Sequence, residues 1–283
     1  MAPSVYTLNS GDVKEERDRL DWQYDIFKAI FEGNLLPLDL EVQLKSANSL
    51  AIADVATGTG VWLRDLARQL PNSARLDGYD YDTSKFPAED TVASNIKFHF
   101  ADALQPFPGH LHGIYDLVHI RLMMYSFRQD ELQLATKNVR DLLKPGGWIM
   151  WEDTGYNSWT SLPMGPNFAS FLGLDFRYAT HVGRDTLMPL HLKSLFEKEG
   201  LVNCSENIFS MFKVGGGKET GGMVTIRVAR QSLMGMIEKG GFEAIQTEDD
   251  VEKTIHGLLA ELNQGHRMGM AMSRIVGQRP LQE

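Results

Sequence analysis

Cysteine is almost absent from this sequence of 283 residues, in which Cys204 stands alone. A single cysteine excludes an intramolecular disulfide and any metal site built from several cysteines. We therefore predict no bound metal. The low cysteine content also favours a reducing compartment, and we expect the protein in the cytoplasm.

Long apolar runs and an excess of basic residues are also missing. No run approaches the ~18 apolar residues that a membrane span needs, and residues 1–14 lack the apolar core of a signal peptide. The net charge is −9, and the basic residues are scattered, so no basic stripe exists to neutralise a phosphate backbone. We expect neither a membrane nor a nucleic acid as a partner.

Apolar strands and amphipathic helices alternate through the first half of the chain. This alternation implies right-handed crossovers, so we predict an α/β fold with a largely parallel sheet and helices on both of its faces. The predicted strands are 49–55, 74–80, 96–100, 115–120 and 148–151, with a turn at 144–147. The predicted helices are 13–31, 61–70 and 130–143.

The second half of the chain is less regular. Residues 154–189 are rich in glycine, proline and aromatic side chains, which indicates an irregular excursion above the sheet. Beyond it we predict helices at 190–199, 224–238 and 249–264 and strands at 201–214 and 273–277. We expect these two strands to add an antiparallel edge to the sheet.

A turn with two glycines follows the first predicted strand, in the segment DVATGTG at residues 54–60. Ligands of open parallel sheets bind outside the carboxyl ends of the strands. Gly58 and Gly60 let the backbone approach a ligand, and amides at the start of the next helix suit a carboxylate, such as that of S-adenosylmethionine. Asp54 is placed to accept a hydrogen bond from the ammonium of such a ligand. A simple tight turn also explains both glycines.

Carboxylates follow the next two predicted strands. Asp80 can accept hydrogen bonds from two ribose hydroxyls, and Asp102 can accept one from an adenine amino group while Ala103 offers its amide. The three placements together predict S-adenosylmethionine as cofactor, although either aspartate alone also fits an ordinary strand end. A nicotinamide dinucleotide fits less well, because Leu63 stands where its turn requires a third glycine.

Several segments, taken in order, resemble one known family: ERDRLDWQ at 16–23, DVATGTGVW at 54–62, LDGYDYDTSKF at 76–86, DLVHIR at 116–121, LKPGGWIMWED at 143–153 and VGQRP at 276–280. They are similar to the LaeA-like S-adenosylmethionine-dependent methyltransferases of fungal secondary metabolism. The resemblance implies a Rossmann-like class I methyltransferase fold, with about seven strands and a helical cap. We expect a helical lid at 1–45, the cofactor-binding core at 46–153, and the rest of the sheet with substrate-cap insertions at 154–283.

Carried over by position, the resemblance implies which residues contact the cofactor. Thr57 joins Asp54 and the glycines at the methionine end, and His119 and Arg121 face the transferable methyl group. Two cofactor-site residues depart from the family's pattern. Ala56 replaces a glycine, which is tolerable if its φ is negative, and Tyr81 changes the stacking against adenine.

Two side chains are candidates for a catalytic base that deprotonates the acceptor. His119 is the first, since imidazole titrates near neutral pH and its position at a strand end favours the cleft. Asp153, at the end of the fifth predicted strand, is the second. Each has a simpler alternative: His119 as a partner of the backbone or the cofactor, and Asp153 as a structural carboxylate.

Aromatic and methionine side chains are candidates for an acceptor pocket that would suit a flat, apolar molecule. The predicted lining is Trp22, Tyr24, Met123, Met124, Tyr125, Trp151, Phe171, Phe176 and His181. These side chains equally fit the interface between cap and sheet, and a lone loop histidine is more often solvated.

We predict an enzyme that transfers a methyl group from S-adenosylmethionine to a small aromatic secondary metabolite. The expected acceptor atom is an oxygen, with nitrogen as the second choice. Two alternatives keep the fold and the cofactor: a regulatory or interaction protein, and an enzyme repurposed for a rearrangement or cyclisation. The sequence leaves open whether the partners include a second copy of the chain or another protein.

Overall fold

The computed structural model describes residues 8, 12–47, 49–213 and 217–281. Of the predicted lid at 1–45, residues 1–7 and 9–11 lie outside this described part. The helices are α1 (Val13–Ile30), α2 (Leu38–Lys45), α3 (Val61–Ala67), α4 (Leu132–Asp141), α5 (Pro166–His181), α6 (Leu192–Lys198), α7 (Gly217–Glu238) and α8 (Glu248–Asn263). The strands are β1 (Ala51–Val55), β2 (Arg75–Asp80), β3 (Ile96–Phe100), β4 (Tyr115–Arg121), β5 (Leu143–Asp153), β6 (Trp159–Leu162), β7 (Val202–Ser210) and β8 (Arg267–Gln278).

One sheet joins these strands. Strands β1 to β5 are parallel, in the spatial order β3-β2-β1-β4-β5, and β8 runs antiparallel beside β5. The long strand β8 also pairs antiparallel with β7 and, near its start, with β6. The predicted α/β, Rossmann-like fold and the antiparallel addition are confirmed.

Side chains on the strands divide between two apolar clusters because successive residues point to opposite faces of a sheet. Ile52 and Leu117 pack with Trp62, Leu63 and neighbouring side chains of α2 and α3. The alternate residues of β1 and β4 pack with α4 and α6 in the other cluster, which contains Ala53, Val118, Ile120, Val139 and Phe196. This alternation fixes which face of β4 carries His119, the face of Trp62.

Several predicted boundaries are wrong, and α7 begins seven residues before the predicted helix at 224–238. Residues 144–147 lie inside β5, where Tyr115 pairs with Leu143 but Leu117 pairs with Trp148, so the extra residues form an irregular bulge. Gly146 allows it with φ +79°. The stretch at 154–189 contains β6 and α5 rather than only irregular chain, and β8 begins six residues before the predicted strand at 273–277.

The helices after β5 form a cap in which a buried carboxylate joins α8 to α5. Glu261 accepts hydrogen bonds from the backbone amides of Asn167 and Phe168, at 2.5 and 3.1 Å, and from the Asn167 side chain at 3.0 Å. These amides belong to the first turn of α5, whose N–H groups have no partner within the helix. Glu261 therefore caps α5 and fixes its position relative to α8.

None of the described helices has the length and apolar character to cross a membrane.

We expect Glu261→Gln to lower the free energy of unfolding by about 1–3 kcal/mol, because an amide NH2 group would then face a buried backbone donor. Urea denaturation followed by circular dichroism measures the change. Glu238→Gln, on the exposed end of α7, is the matched control and should leave stability within about 0.5 kcal/mol of the wild type. Equal stability of the two variants would contradict the capping role.

Candidate active site

A cavity of about 740 Å³ opens at the carboxyl ends of β1, β2 and β4, beneath α1. Its volume falls within the range of small-molecule sites. The structure brings most of the predicted cofactor residues to its wall: Asp54, Ala56, Thr57, Gly58, Asp80, Tyr81, Asp102, Ala103, His119 and Arg121. Within the described ranges, no group of three or more His, Cys, Asp or Glu side chains is arranged to hold a metal ion.

Gly60 is the predicted cofactor residue that lies outside the cavity wall. Its amide donates to the carbonyl oxygen of Thr57 at 2.9 Å, and it stands at the start of α3 with φ +68°. A Cβ atom at this position would lie 2.3 Å from the ring of Phe98. Gly60 is therefore required by the turn itself, both for its backbone angle and for its missing side chain.

Ala56 does not meet the condition under which its methyl group was expected to be tolerable. Its φ is +57°, in the left-handed region, where a residue with a Cβ atom costs about 1–2 kcal/mol relative to the right-handed region. The backbone at this point of the cavity wall is therefore strained, and glycine is the residue that relieves such strain.

Asp80 holds the turn and still faces the cavity. Its Oδ2 accepts from the amide of Gly58 at 2.7 Å, and its Oδ1 accepts from the amide of Asp82 at 2.8 Å. A carboxylate offers about four acceptor positions, so lone pairs remain for a ligand hydroxyl. Burial raises the pKa of Asp80, while the two amides oppose that rise.

The loop after β3 is held in a similar way. Asp102 Oδ1 accepts from the amide of Leu104 at 2.9 Å, and the side-chain nitrogen of Asn138 donates to the carbonyl oxygen of Ala103 at 2.9 Å. Both contacts fix the backbone that carries Asp102 and Ala103 along the cavity wall.

His119 lines the cavity and belongs to a buried chain of charged groups. Its Nδ1 is 2.7 Å from Asp54 Oδ1, its Nε2 is 3.4 Å from Glu152 Oε2, and its ring stacks on Trp62 at 3.9 Å. Burial lowers the pKa of His119, but the bonds to both carboxylates outweigh it and raise the pKa overall. Glu152 also accepts from Arg274 Nε at 2.6 Å. Burial raises the pKa of Glu152, but the hydrogen bond with His119 and the charge of Arg274 outweigh it and lower the pKa to about 2.

Both ring nitrogens of His119 therefore already face carboxylates. The assignment of His119 as a catalytic base stays a prediction, and this geometry weighs against it, because neither nitrogen is free to take a proton from an acceptor. Glu152 and Arg274 were missed by sequence reasoning. The parallel register, in which Arg121 pairs with Glu152, is the signal that could have suggested Glu152.

Asp153 is fully buried and is absent from the cavity wall. Its Oδ2 accepts from the amide of Met123 at 2.7 Å and from Trp151 Nε1 at 3.0 Å, and its Oδ1 accepts from the amide of Thr154. Burial raises its pKa to about 7. A catalytic role for Asp153 stays a prediction, and its contacts favour a structural role, which is to hold the segment after β4.

Four of the predicted acceptor-pocket residues line the cavity: Tyr24, Met123, Met124 and Tyr125. The other five do not reach it. Trp22 lies under the guanidinium of Arg227, Trp151 and Phe171 fill the core, and Phe176 and His181 lie exposed on α5. The wall also includes apolar side chains that the sequence prediction omitted: Phe27, Phe127, Val228 and Met270. Phe27 stands one helical turn after Tyr24, so helical spacing could have found it.

Two buried groups hold Tyr125 in the cavity wall. Its hydroxyl donates to Asp175 Oδ2 at 2.7 Å, and Ser232 donates to Asp175 Oδ1 at 2.6 Å. Asp175 therefore links the wall to α5 and α7 of the cap.

Helix α1 forms the roof and is attached by polar contacts to the glycine turn and to α3. Thr59 Oγ1 donates to Asp21 Oδ1 at 2.5 Å, and the Tyr24 hydroxyl donates to Asp65 Oδ2 at 2.5 Å. Lys28 Nζ also lies 2.6 Å from Asp65 Oδ2. The face of α1 toward the cavity carries Arg19, Leu20, Gln23, Tyr24 and Phe27.

The high pKa of Asp153 predicts a pH dependence of stability. Its pKa is raised from 3.8 to about 7, so the folded state binds the extra proton between these values and the free energy of unfolding falls as the pH rises through that window. The slope is about 1.4 kcal/mol per pH unit. We expect Asp153→Asn to remove this slope, as measured by urea denaturation between pH 4 and pH 8.

The exposed Asp130→Asn is the control, and its curve should run parallel to that of the wild type. A curve for Asp153→Asn that is merely lower, with the wild-type slope, would show that Asp153 ionises normally in the folded protein.

Comparison with known proteins agrees with this geometry. Residues 52–147 match the family model described as a methyltransferase domain. The chain is 34% identical over 222 residues to methyltransferase grgD of a Penicillium species, and this alignment covers 75% of this chain and 74% of that protein. It is 31% identical over 149 residues to N-methyltransferase verN of Clonostachys rogersoniana, about half the length of each protein.

The fold is also that of solved methyltransferases. A putative sarcosine dimethylglycine methyltransferase from Galdieria sulphuraria superposes with a TM-score of 0.51 at 13% identity, over 98% of this chain and 93% of that one. At this identity the likeness concerns the fold alone. Together with the strand order and the match to grgD, it shows that the chain belongs to the class I S-adenosylmethionine-dependent methyltransferases.

Proposed function

We propose that this methyltransferase binds S-adenosylmethionine along the carboxyl ends of β1, β2 and β3 and methylates a nitrogen of a small aromatic metabolite. The observation that carries the first part is that one cavity brings together the glycine turn and three aspartates, Asp54, Asp80 and Asp102. The finer assignment to the LaeA-like group, and the cytoplasmic location, rest on the sequence segments and the single cysteine given above.

The residues fit this cofactor chemically. Asp80 retains acceptor positions for the ribose hydroxyls, the Asp102 loop is fixed in place for the adenine, and Gly58 has φ +56° with no side chain to block the wall. When bound, S-adenosylmethionine supplies a methyl group on a positively charged sulfur. The chain itself has to align the acceptor with that methyl group, and such alignment accounts for much of the rate of a displacement.

Both candidate bases already have hydrogen-bond partners in the protein, which favours a nitrogen acceptor. His119 is bonded to Asp54 and Glu152, and Asp153 lies behind the wall. An oxygen acceptor must lose its proton to become a good nucleophile, whereas a neutral amine attacks with its own lone pair and releases its proton to water afterwards. The apolar wall around Tyr24, Met123 and Tyr125 suits the aromatic part of such an acceptor.

Cofactor binding is tested with Asp80→Asn. We expect the variant to bind S-adenosylhomocysteine about 10-fold more weakly or worse, because the charge of the acceptor for the ribose hydroxyls is lost. Isothermal titration calorimetry measures the affinity, and circular dichroism checks the fold. Asp90→Asn, on an exposed loop, should bind as the wild type does. Wild-type affinity in the Asp80 variant would contradict this role for Asp80.

The acceptor atom is tested with aromatic aminophenols, because each molecule carries both nucleophiles. We expect N-methyl products and release of S-adenosylhomocysteine at neutral pH. O-methyl products should be about 100-fold less abundant, since a general base typically contributes at least that factor and neither His119 nor Asp153 is free to act as one. Mass spectrometry with fragmentation distinguishes the products. Predominant O-methylation would overturn the nitrogen proposal, and cofactor binding without any methylated product would favour a regulatory role.

A further inference from the structure

The cavity wall contains a guanidinium that has no hydrogen-bond partner among the described residues. Arg121 ends β4, lines the cavity, and has a side chain that is 14% exposed. Its Nη1 lies 3.9 Å from Glu152 Oε2, beyond hydrogen-bond distance, and its Cζ lies 5.2 Å from the ring centre of Tyr24. Across residues 8, 12–47, 49–213 and 217–281, no atom accepts a hydrogen bond from Arg121. Five N–H donors are thus available to a ligand.

Glu152 cannot neutralise Arg121 by itself because its oxygens already serve other groups. Oε1 accepts from Arg274 Nε at 2.6 Å, and Oε2 faces His119 Nε2 at 3.4 Å. Arg274 and Glu152 are both almost completely buried, so this pair is fixed. Arg121 is the outermost member of the group and the one that borders the cavity.

The charges of this buried group do not balance. Two carboxylates, Asp54 and Glu152, stand against two guanidinium groups and the imidazole of His119, whose contacts with both carboxylates favour its protonated form. One positive charge is left over beside the cavity. The other cavity-lining cations have their own carboxylates: Arg19 pairs with Glu16, Lys85 with Asp82, and Arg128 with Glu131.

We propose that Arg121 binds a carboxylate group of the methyl acceptor. The inference rests on the proposed function, because Arg121 borders Tyr24 of the apolar wall proposed for the acceptor, while the amides of the glycine turn are expected to take the carboxylate of the cofactor. A planar carboxylate matches the fork of a guanidinium with two parallel hydrogen bonds. Its single negative charge balances the surplus, whereas a phosphate dianion would exceed it in a cavity that also contains Asp80 and Asp102.

The first experiment tests whether the cofactor, rather than the acceptor, supplies the carboxylate. Isothermal titration calorimetry compares S-adenosylhomocysteine with its decarboxylated analogue, which keeps the amine, on the wild type, Arg121→Gln and Arg121→Lys. If Arg121 holds the cofactor carboxylate, Arg121→Gln weakens S-adenosylhomocysteine about 10- to 100-fold while the decarboxylated analogue binds all three proteins alike. Arg121→Lys should lie between, since it keeps the charge and loses the fork. Arg177→Gln, an exposed arginine on α5, is the control.

The second experiment tests the acceptor as the source. Phenylacetate and the neutral phenylacetamide are titrated into protein saturated with S-adenosylhomocysteine, and the melting temperature is followed. If Arg121 holds an acceptor carboxylate, phenylacetate raises the melting temperature of the wild type and of Arg177→Gln, phenylacetamide does not, and Arg121→Gln shows no rise with either.

A rise with phenylacetate that depends on Arg121 supports the proposal. The proposal is overturned if phenylacetate has no effect that depends on Arg121, and a selective loss of S-adenosylhomocysteine affinity in Arg121→Gln would then assign Arg121 to the cofactor instead. If the wild type does not bind S-adenosylhomocysteine at all, the proposed function itself fails. The two failures are therefore distinguishable.

Discussion

The site depends on a chain of buried charges that crosses the sheet beneath the cavity. Asp54 on β1, His119 on β4, Glu152 on β5 and Arg274 on β8 contact one another in sequence, and each contributes from a different strand. Buried charges are tolerated only when they are paired and hydrogen-bonded, so each member requires its neighbours. The chain thereby fixes the carboxyl ends of four strands relative to one another.

Around that chain, polar side chains hold the backbone of the cavity wall in place. Asp80 holds the amide of Gly58, Asn138 holds the carbonyl of Ala103, and Asp153 holds the amide of Met123. In each case a polar side chain fixes a loop at the end of a strand. The left-handed backbone at Ala56 and Gly58 is maintained by this network at some cost in stability.

The first half of the fold could be predicted because its signals are local. The first strand with Asp54 near its end, the glycine turn and the aspartates at the ends of the next two strands lie in a regular order, and the parallel topology then places them at one edge. The helix α5 was missed although its buried residues, Phe168, Phe171 and Tyr178, recur at helical spacing, because its glycine and aromatic content suggested a loop.

The acceptor side of the cavity could not be predicted in the same way, because it is assembled from distant segments. Val228 and Met270 reach the wall from α7 and β8, and their sequence neighbourhoods carry no sign of it. Long-range pairing also determines the environment of His119. From the sequence, a histidine at a strand end is a candidate base, but the structure places Glu152, 33 residues away, beside its second nitrogen. Trp151 and Phe171 had the right chemistry for a pocket but pack in the core.

Helix α1 and the buried charged chain contribute different parts of the cavity. The residues of α1 that face the cavity stand on a single helical face, and polar contacts of Asp21, Tyr24 and Lys28 attach the helix to Thr59 and Asp65. Exchange of Leu20 or Phe27 would therefore reshape the chamber without disturbing the charged chain below. Substitutions on this one face of α1 can change which acceptors fit the cavity, while the residues proposed to bind the cofactor stay the same.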